Sequence, residues 1–217
     1  MKPRCWLCGL LAVLCAGCGG GSPAEPPAAP APRVIEFYGD SLTFGSIEGP
    51  AGTLTRLAVP PVRRAQELLG TSALCVDLSL PGATVADALA GVAMMPFGRF
   101  AEHVATTTAS VLVVRYGGAD ALRGTPLADF ERDLAELVRL AQAAGKTVLL
   151  VGVIATTTGV TDDYDLAVER AADAFGTGFV DVRAVPFALP DDLADDVHPA
   201  QAWSDRITAL IAKSLGA

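Results

Sequence analysis

Positive charge is scarce in this chain. Its 217 residues hold 16 Lys and Arg against 24 Asp and Glu, a formal charge of -8, and no basic patch stands out. An acidic domain repels nucleic acid and anionic lipid headgroups, which excludes a nucleic-acid partner. A membrane-length apolar run is also missing. The apolar stretch at the start, Trp6 to Ala16, is about eleven residues, too short for a helix to cross a bilayer. Cysteine is nearly absent past that stretch: Cys5, Cys8 and Cys15 lie at or within it, which leaves Cys18 and Cys75 and no disulfide framework. Cys5-x-x-Cys8 has the spacing of a metal or redox pair, but an apolar leader is the wrong setting for one. Cys75, in Ala73-Leu74-Cys75-Val76, reads as a small buried strand residue. No internal repeat is present. Histidine is limited to His103 and His198, so chemistry that needs an imidazole has two candidates.

What is present at the start is an export pattern. Lys2 and Arg4 precede the apolar run, and Leu14-Cys15-Ala16-Gly17-Cys18 resembles a bacterial lipobox, in which small residues precede a cysteine that is lipidated and becomes the new N-terminus. Residues 1–17 are therefore expected to be a lipoprotein signal peptide, with Cys18 as the lipid attachment point. Its removal takes the formal charge from -8 to -10, because Lys2 and Arg4 leave with it. Residues 18–32 form a Gly/Pro/Ala-rich linker, flexible at its glycines and extended through its prolines, with a reach of about 40 Å at ~3 Å per residue. The expected location is the bacterial cell envelope, with the membrane met through the lipid. Ordinary cleavage and a freely soluble protein is the alternative.

Residues 33–217 are enough for one domain with one core. Strand-like and helix-like segments alternate through it. Val34–Tyr38, Leu74–Leu78, Val111–Tyr116, Thr147–Ile154 and Phe179–Val182 read as strands. Pro61–Leu69, Thr84–Leu89, Pro126–Ala144, Tyr164–Phe175 and Ala200–Leu215 read as helices. Gly70 and Gly145 act as stops, and Leu127, Phe130, Leu134, Leu137, Val138 and Ala141 recur at helical spacing. The near-continuous VLVVRY suits a strand covered on both faces. This alternation predicts an α/β fold, a three-layer α/β/α sandwich around a five-stranded parallel sheet. Ligands in open sheets of that kind bind beyond the carboxyl ends of the strands. Ser41 follows the first strand, Gly82 the second, and Gly117-Gly118 the third.

The chemistry-bearing residues lie near the two ends of this domain. Tyr38-Gly39-Asp40-Ser41-Leu42 places a serine just past a strand, and Asp195-Asp196-Val197-His198-Pro199 places a histidine three residues after an aspartate, where the last helix begins. A serine hydroxyl needs a base within hydrogen-bond reach to attack an ester. An imidazole can be that base, and a carboxylate can fix its tautomer. His103, in Phe100-Ala101-Glu102-His103-Val104, reads as a partly exposed surface residue at a helix or its end. Asp191, Asp192 and Asp196 read as solvated loop charges, and their spacing fits no EF-hand. Asp40 and Thr43 suit capping of the turn after Ser41. The Ser41 backbone N–H is one candidate oxyanion donor, and Gly82, in Ser79-Leu80-Pro81-Gly82-Ala83, is a second. Gly-x-Ser-x-Gly is absent, which argues against the larger α/β-hydrolase fold.

These blocks resemble those of the GDSL/SGNH esterases and lipases, and the resemblance covers nearly the whole domain. It implies a flavodoxin-like fold, Ser41 as nucleophile, His198 as base, Asp195 as the carboxylate of Asp-x-x-His, and Gly82 as the second-block donor. The third block should read Gly-x-Asn-Asp, yet here it is Gly117-Gly118-Ala119-Asp120 within Tyr116–Gly124, a stretch similar to that of the bacterial thioesterase I/lysophospholipase group. Ala119 stands where the third oxyanion donor belongs. Loss of one donor typically costs ~10²–10³ in rate. Three outcomes follow: a slow enzyme, one with a substitute donor, or a domain that has lost catalysis.

The resemblance implies an ester hydrolase acting on lysophospholipid, acyl thioester or small carboxylic esters through an acyl-enzyme, as a monomer. No metal or cofactor is implied. A surface lipoprotein that keeps the fold as a binding module is a rival reading, as is an O-deacetylase of envelope polysaccharide. Val92–Phe100, with Met94, Met95 and Phe97, is either an acyl-site lining or a packing segment or lid.

Overall fold

The stretch VLVVR is the centre of the molecule. All five of its residues are buried, as β-branched residues are when both faces of a strand are covered. It is the fifth strand of a chain that runs β1 (Arg33–Gly39), α1 (Ser41–Phe44), β2 (Ser46–Glu48), β3 (Leu54–Arg56), α2 (Pro61–Leu69), β4 (Ala73–Asp77), α3 (Val85–Ala90), α4 (Phe100–Thr106), β5 (Val111–Arg115), α5 (Gly118–Leu122), α6 (Leu127–Ala143), β6 (Thr147–Val151), α7 (Asp162–Phe175), β7 (Gly178–Val180) and α8 (Gln201–Ser214). The computed structural model describes residues 31–92, 94–154, 159–188 and 190–217. The expected signal peptide, Cys18 and all but the last two residues of the linker lie outside them.

Five strands form a parallel sheet in the order β4-β1-β5-β6-β7. Counted within the sheet alone this is 2-1-3-4-5, the flavodoxin-like order. The helices pack in two groups, α2 with α8, and α6 with α3, α4 and α7. Right-handed crossovers put these groups on opposite faces, because the chain first steps outward from β1 to β4 and then reverses to β5. The reversal creates a switch point between β1 and β5. Their register pairs Gly39 with Arg115, so both strands finish level and their following turns lie side by side.

Local sequence explains the helices. α2 has proline in its first position and ends at Gly70. α3 begins with a capping box: Thr84 Oγ1 accepts from Asp87 N–H at 3.1 Å, and Asp87 Oδ2 accepts from Thr84 N–H at 3.0 Å. α6 buries the stripe Phe130, Leu134, Leu137, Val138 and Ala141. α8 buries Trp203, Ile207 and Ile211, and each such side chain contributes roughly 1.5–3 kcal/mol by leaving water.

Three expectations need correction. The strand expected over Thr147–Ile154 ends at Val151, because Val153 N–H donates to the Asp165 carboxylate at 2.8 Å instead of to a neighbouring strand. The strand expected over Phe179–Val182 ends at Val180, because Asp181 caps a 3₁₀ turn by accepting from Arg183 N–H. A short antiparallel hairpin, β2–β3, was not anticipated. Its three-residue strands carry no readable alternation. Cys75 is only partly buried.

Candidate active site

Ser41 sits at the switch point as the first residue of α1. Asp40 caps that turn from a fully buried position, its Oδ1 accepting from Leu42 N–H at 2.9 Å. Its Oδ2 accepts from Ala119 N–H, also at 2.9 Å. One carboxylate therefore ties the turn after β1 to the turn after β5. Burial pushes the Asp40 carboxyl above its ordinary range, against the pull of those two N–H donors and of buried Arg115. The capping role expected for Asp40 is the one it has. Thr43 is buried, but its hydroxyl has no hydrogen-bond partner, so it packs against Gly39 rather than capping. Gly39 has to be glycine, since a Cβ there would collide with the Thr43 side chain and the Arg115 carbonyl.

Gly82 lies in a turn whose Ala83 N–H donates to Leu80 C=O at 3.0 Å. Proline followed by a glycine with φ 77° is the type II signature. Leu80 N–H donates to Gly39 C=O at 3.0 Å, which pulls this turn towards the end of β1. Among the described residues neither the Ser41 N–H nor the Gly82 N–H has a hydrogen-bond partner.

Asp195 and His198 are held by a small closed loop. Ala194 N–H donates to His198 C=O and Ala200 N–H to Asp192 C=O, both at 2.8 Å. Inside it the Asp195 Oδ1 accepts from Val197 N–H at 2.9 Å and His198 N–H at 2.7 Å. His198 Nδ1 lies 2.9 Å from Asp195 Oδ2, and that oxygen also accepts from Glu48 N–H of the β2–β3 hairpin at 2.8 Å. Burial alone would raise the Asp195 carboxyl, but these hydrogen bonds outweigh it and hold the group below the usual carboxylate range. Asp195 is thus charged at neutral pH and faces Nδ1, and among the described residues Nε2 has no hydrogen-bond partner.

Ser41 and His198 line the same two adjoining cavities. One is narrow and mostly apolar, with Leu42, Leu122 and Ile154 in its wall beside Thr161. The other is open, about 340 Å³, and takes in Gly82, Ala119, Leu122 and Arg123. The structure therefore brings Ser41, His198, Gly82 and Ala119 to one place, with Asp195 behind the histidine. Among the described residues Ser41 Oγ makes no hydrogen bond, and the ring contacts of His198 are those of Nδ1 with Asp195. No group of three or more His, Cys, Asp or Glu among the described residues is arranged to hold a metal ion.

His103 is partly exposed on α4, as expected, but it has a partner the sequence does not show. Its Nε2 lies 3.1 Å from the buried Glu36 carboxylate, and its ring packs on Phe97 and Tyr38. The Glu36 position, in the middle of β1, hides the pairing from a linear reading. The segment Val92–Phe100 packs rather than lining an acyl site. Phe97 and Phe100 stack edge-on against Tyr38 and Met95 is buried, while Val92 and Met94 are exposed. Asp191 and Asp196 are solvated, while Asp192 pairs with Arg206 at 2.8 Å and accepts from Ala188 N–H. Sequence reasoning missed the Glu48 N–H, because a backbone donor carries no residue signature.

A parallel sheet of flavodoxin-like order, with a serine at the end of its first strand and an Asp-x-x-His loop before its last helix, defines an SGNH-type hydrolase fold. The chain belongs to the GDSL-like lipase/acylhydrolase family, which matches residues 37–205. Among solved structures, it resembles the aryl esterase of M. smegmatis at 16% identity and a TM-score of 0.70, over 84% of this chain and 98% of that one. An acetylxylan esterase from Geobacillus stearothermophilus matches at 21% identity and 0.67, over 85% and 94%. A carbohydrate acetylesterase from Sinorhizobium meliloti matches at 16% and 0.67, over 84% and 98%. No curated protein matches the chain.

Proposed function

We propose that this protein is an exported serine ester hydrolase, lipid-anchored through Cys18 in a bacterial cell envelope, that acts on short-chain oxygen esters. One observation carries the reading: Ser41 and His198 share a cavity while Asp195 holds the imidazole by its Nδ1. Ser41 Oγ attacks the ester carbonyl as His198 Nε2 takes its proton. Asp195 fixes the tautomer and stabilises the imidazolium. The Ser41 and Gly82 N–H groups receive the developing oxyanion. His198 then passes the proton to the departing alcohol, and water, activated by the same imidazole, releases the acid from the acyl-enzyme.

The narrow, mostly apolar cavity beside Ser41 favours a small acyl group over a lysophospholipid chain. Thioester cofactors are scarce outside the cytoplasm, which favours oxygen esters. Two structural neighbours act on acetylated carbohydrate by their names, which supports O-acetyl groups of envelope polysaccharide as a substrate class. A fluorophosphonate probe tests the core of the reading. Labelling is expected on Ser41 and lost in Ser41→Ala, together with p-nitrophenyl acetate turnover. Absence of both in the wild type would favour the second reading, a binding module that keeps the fold. Ala119, with no side-chain donor at the third position, is the observation behind that alternative.

A further inference from the structure

The oxyanion turn is clamped from one side by a single short element. Asp120 of α5 accepts from Val85 N–H at 3.3 Å. One turn-edge further on, Arg123 Nη1 donates to the Gly82 carbonyl at 3.2 Å and to Asp87 Oδ2 at 2.6 Å. Asp87 is itself locked into the α3 capping box. The same α5 is tied to the nucleophile turn by the Ala119–Asp40 hydrogen bond. The two peptides without partners, at Ser41 and at Gly82, are therefore held in mutual register through α5. Arg123 reaches Gly82 itself and lines the open cavity with Ser41 and His198.

We propose that Arg123 is a positioning residue: by gripping the Gly82 carbonyl and Asp87, it sets the Gly82 N–H at the oxyanion position. The inference rests on the esterase reading above. Its physical basis is that Gly82 has open space on its outer side, where an added Cβ would meet nothing within 4 Å, so beyond the hydrogen bonds of the turn itself the Arg123 contact is what holds its carbonyl. With alanine at position 119, a loosened Gly82 leaves one well-placed donor.

The test uses the full-length protein and measures kcat and KM for p-nitrophenyl acetate separately. It adds the affinity of methaneboronic acid, whose tetrahedral adduct on Ser41 places an oxygen at the oxyanion position. Arg123→Ala is expected to lower kcat by about tenfold or more, since removing a donor outright costs ~10²–10³. Boronate affinity is expected to fall in parallel, KM to stay level, and added guanidinium ion to restore part of the loss. A folded Arg123→Ala with unchanged kcat and boronate affinity would overturn the role. So would a loss confined to melting temperature. If that variant does not fold, Arg123→Gln, too short to reach both partners, is read by the same criteria. A wild type that neither turns over ester nor labels at Ser41 overturns the esterase reading instead, so the two failures are distinguishable.

Discussion

Both histidines of this protein are paired with a carboxylate, yet the two pairs do different things. Asp195–His198 lies at the C-terminal rim of the sheet, in a loop closed by backbone hydrogen bonds, with one imidazole nitrogen held and the other without a partner among the described residues. Glu36–His103 lies below the rim. Its Nε2 is consumed by Glu36, whose other oxygen accepts from Thr107 Oγ1 at 2.5 Å and which also takes the Tyr38 hydroxyl. Phe97 and Tyr38 cover the ring. The second pair satisfies a carboxylate buried in the middle of β1, which unpaired would be costly. A carboxylate–histidine contact therefore says nothing of catalysis until its place relative to a nucleophile is known.

The sharpest way to break this contrast is to remove each imidazole in turn. His198→Ala is expected to lower p-nitrophenyl acetate turnover by about 10³-fold or more. His103→Ala should leave turnover unchanged and cost about 1–3 kcal/mol of stability, because it takes one of three hydrogen-bond partners from a buried carboxylate. Denaturant melts and kinetics on both variants check this, and a loss of turnover in His103→Ala with its fold intact would erase the distinction. Next in size is Asp195→Asn, which should cost on the order of 10²–10⁴ in kcat by presenting the wrong partner to Nδ1. Because the Asp195 carboxyl is held low in the folded state, its stabilisation is present above the unfolded value of ~3.9 and is lost as pH falls through the folded one. The variant should accordingly show a shallower acid limb in stability against pH.

Two smaller effects sharpen the picture of the rim. Ala119→Asn should raise turnover by about one to several tens of fold if the oxyanion hole lacks only that donor. No gain would mean another group already fills the place. Asp120 is a buried carboxyl pushed up to about 7, chiefly by burial and also by Asp40, against the N–H groups it faces. Between the unfolded ~3.9 and 7 the native state binds more protons than the unfolded one, so this group makes stability fall as pH rises through that window. Asp120→Asn should flatten that fall and leave the melting temperatures at pH 5 and pH 8 closer by several degrees, on the order expected for about 2–3 kcal/mol. Melts at the two pH values decide it.

The fold was largely legible along the chain. Buried parallel strands are continuous apolar runs and amphipathic helices repeat at 3.6 residues, so both β5 and α6 announce themselves locally. The ends of β6 and β7 were not, because there a side chain, Asp165 or Asp181, takes over the backbone partners. The hairpin β2–β3 was missed for want of length. At the site, Ser41, Asp195 and His198 stood out because their residue types and spacing are chemical, whereas Glu48 N–H and the Arg123 grip on Gly82 join residues far apart in sequence.

By itself the sequence determined the order of the sheet strands and main helices, the identity of the candidate site residues and the alanine at 119, since each follows from a residue or a short-range pattern. Only the tertiary structure decided which histidine shares a cavity with the serine, what the buried acids at 36, 40 and 120 do, and how two glycine-bearing turns are held beside each other. Those are relations between segments joined across the sheet, and a linear pattern carries no information about the distance between them.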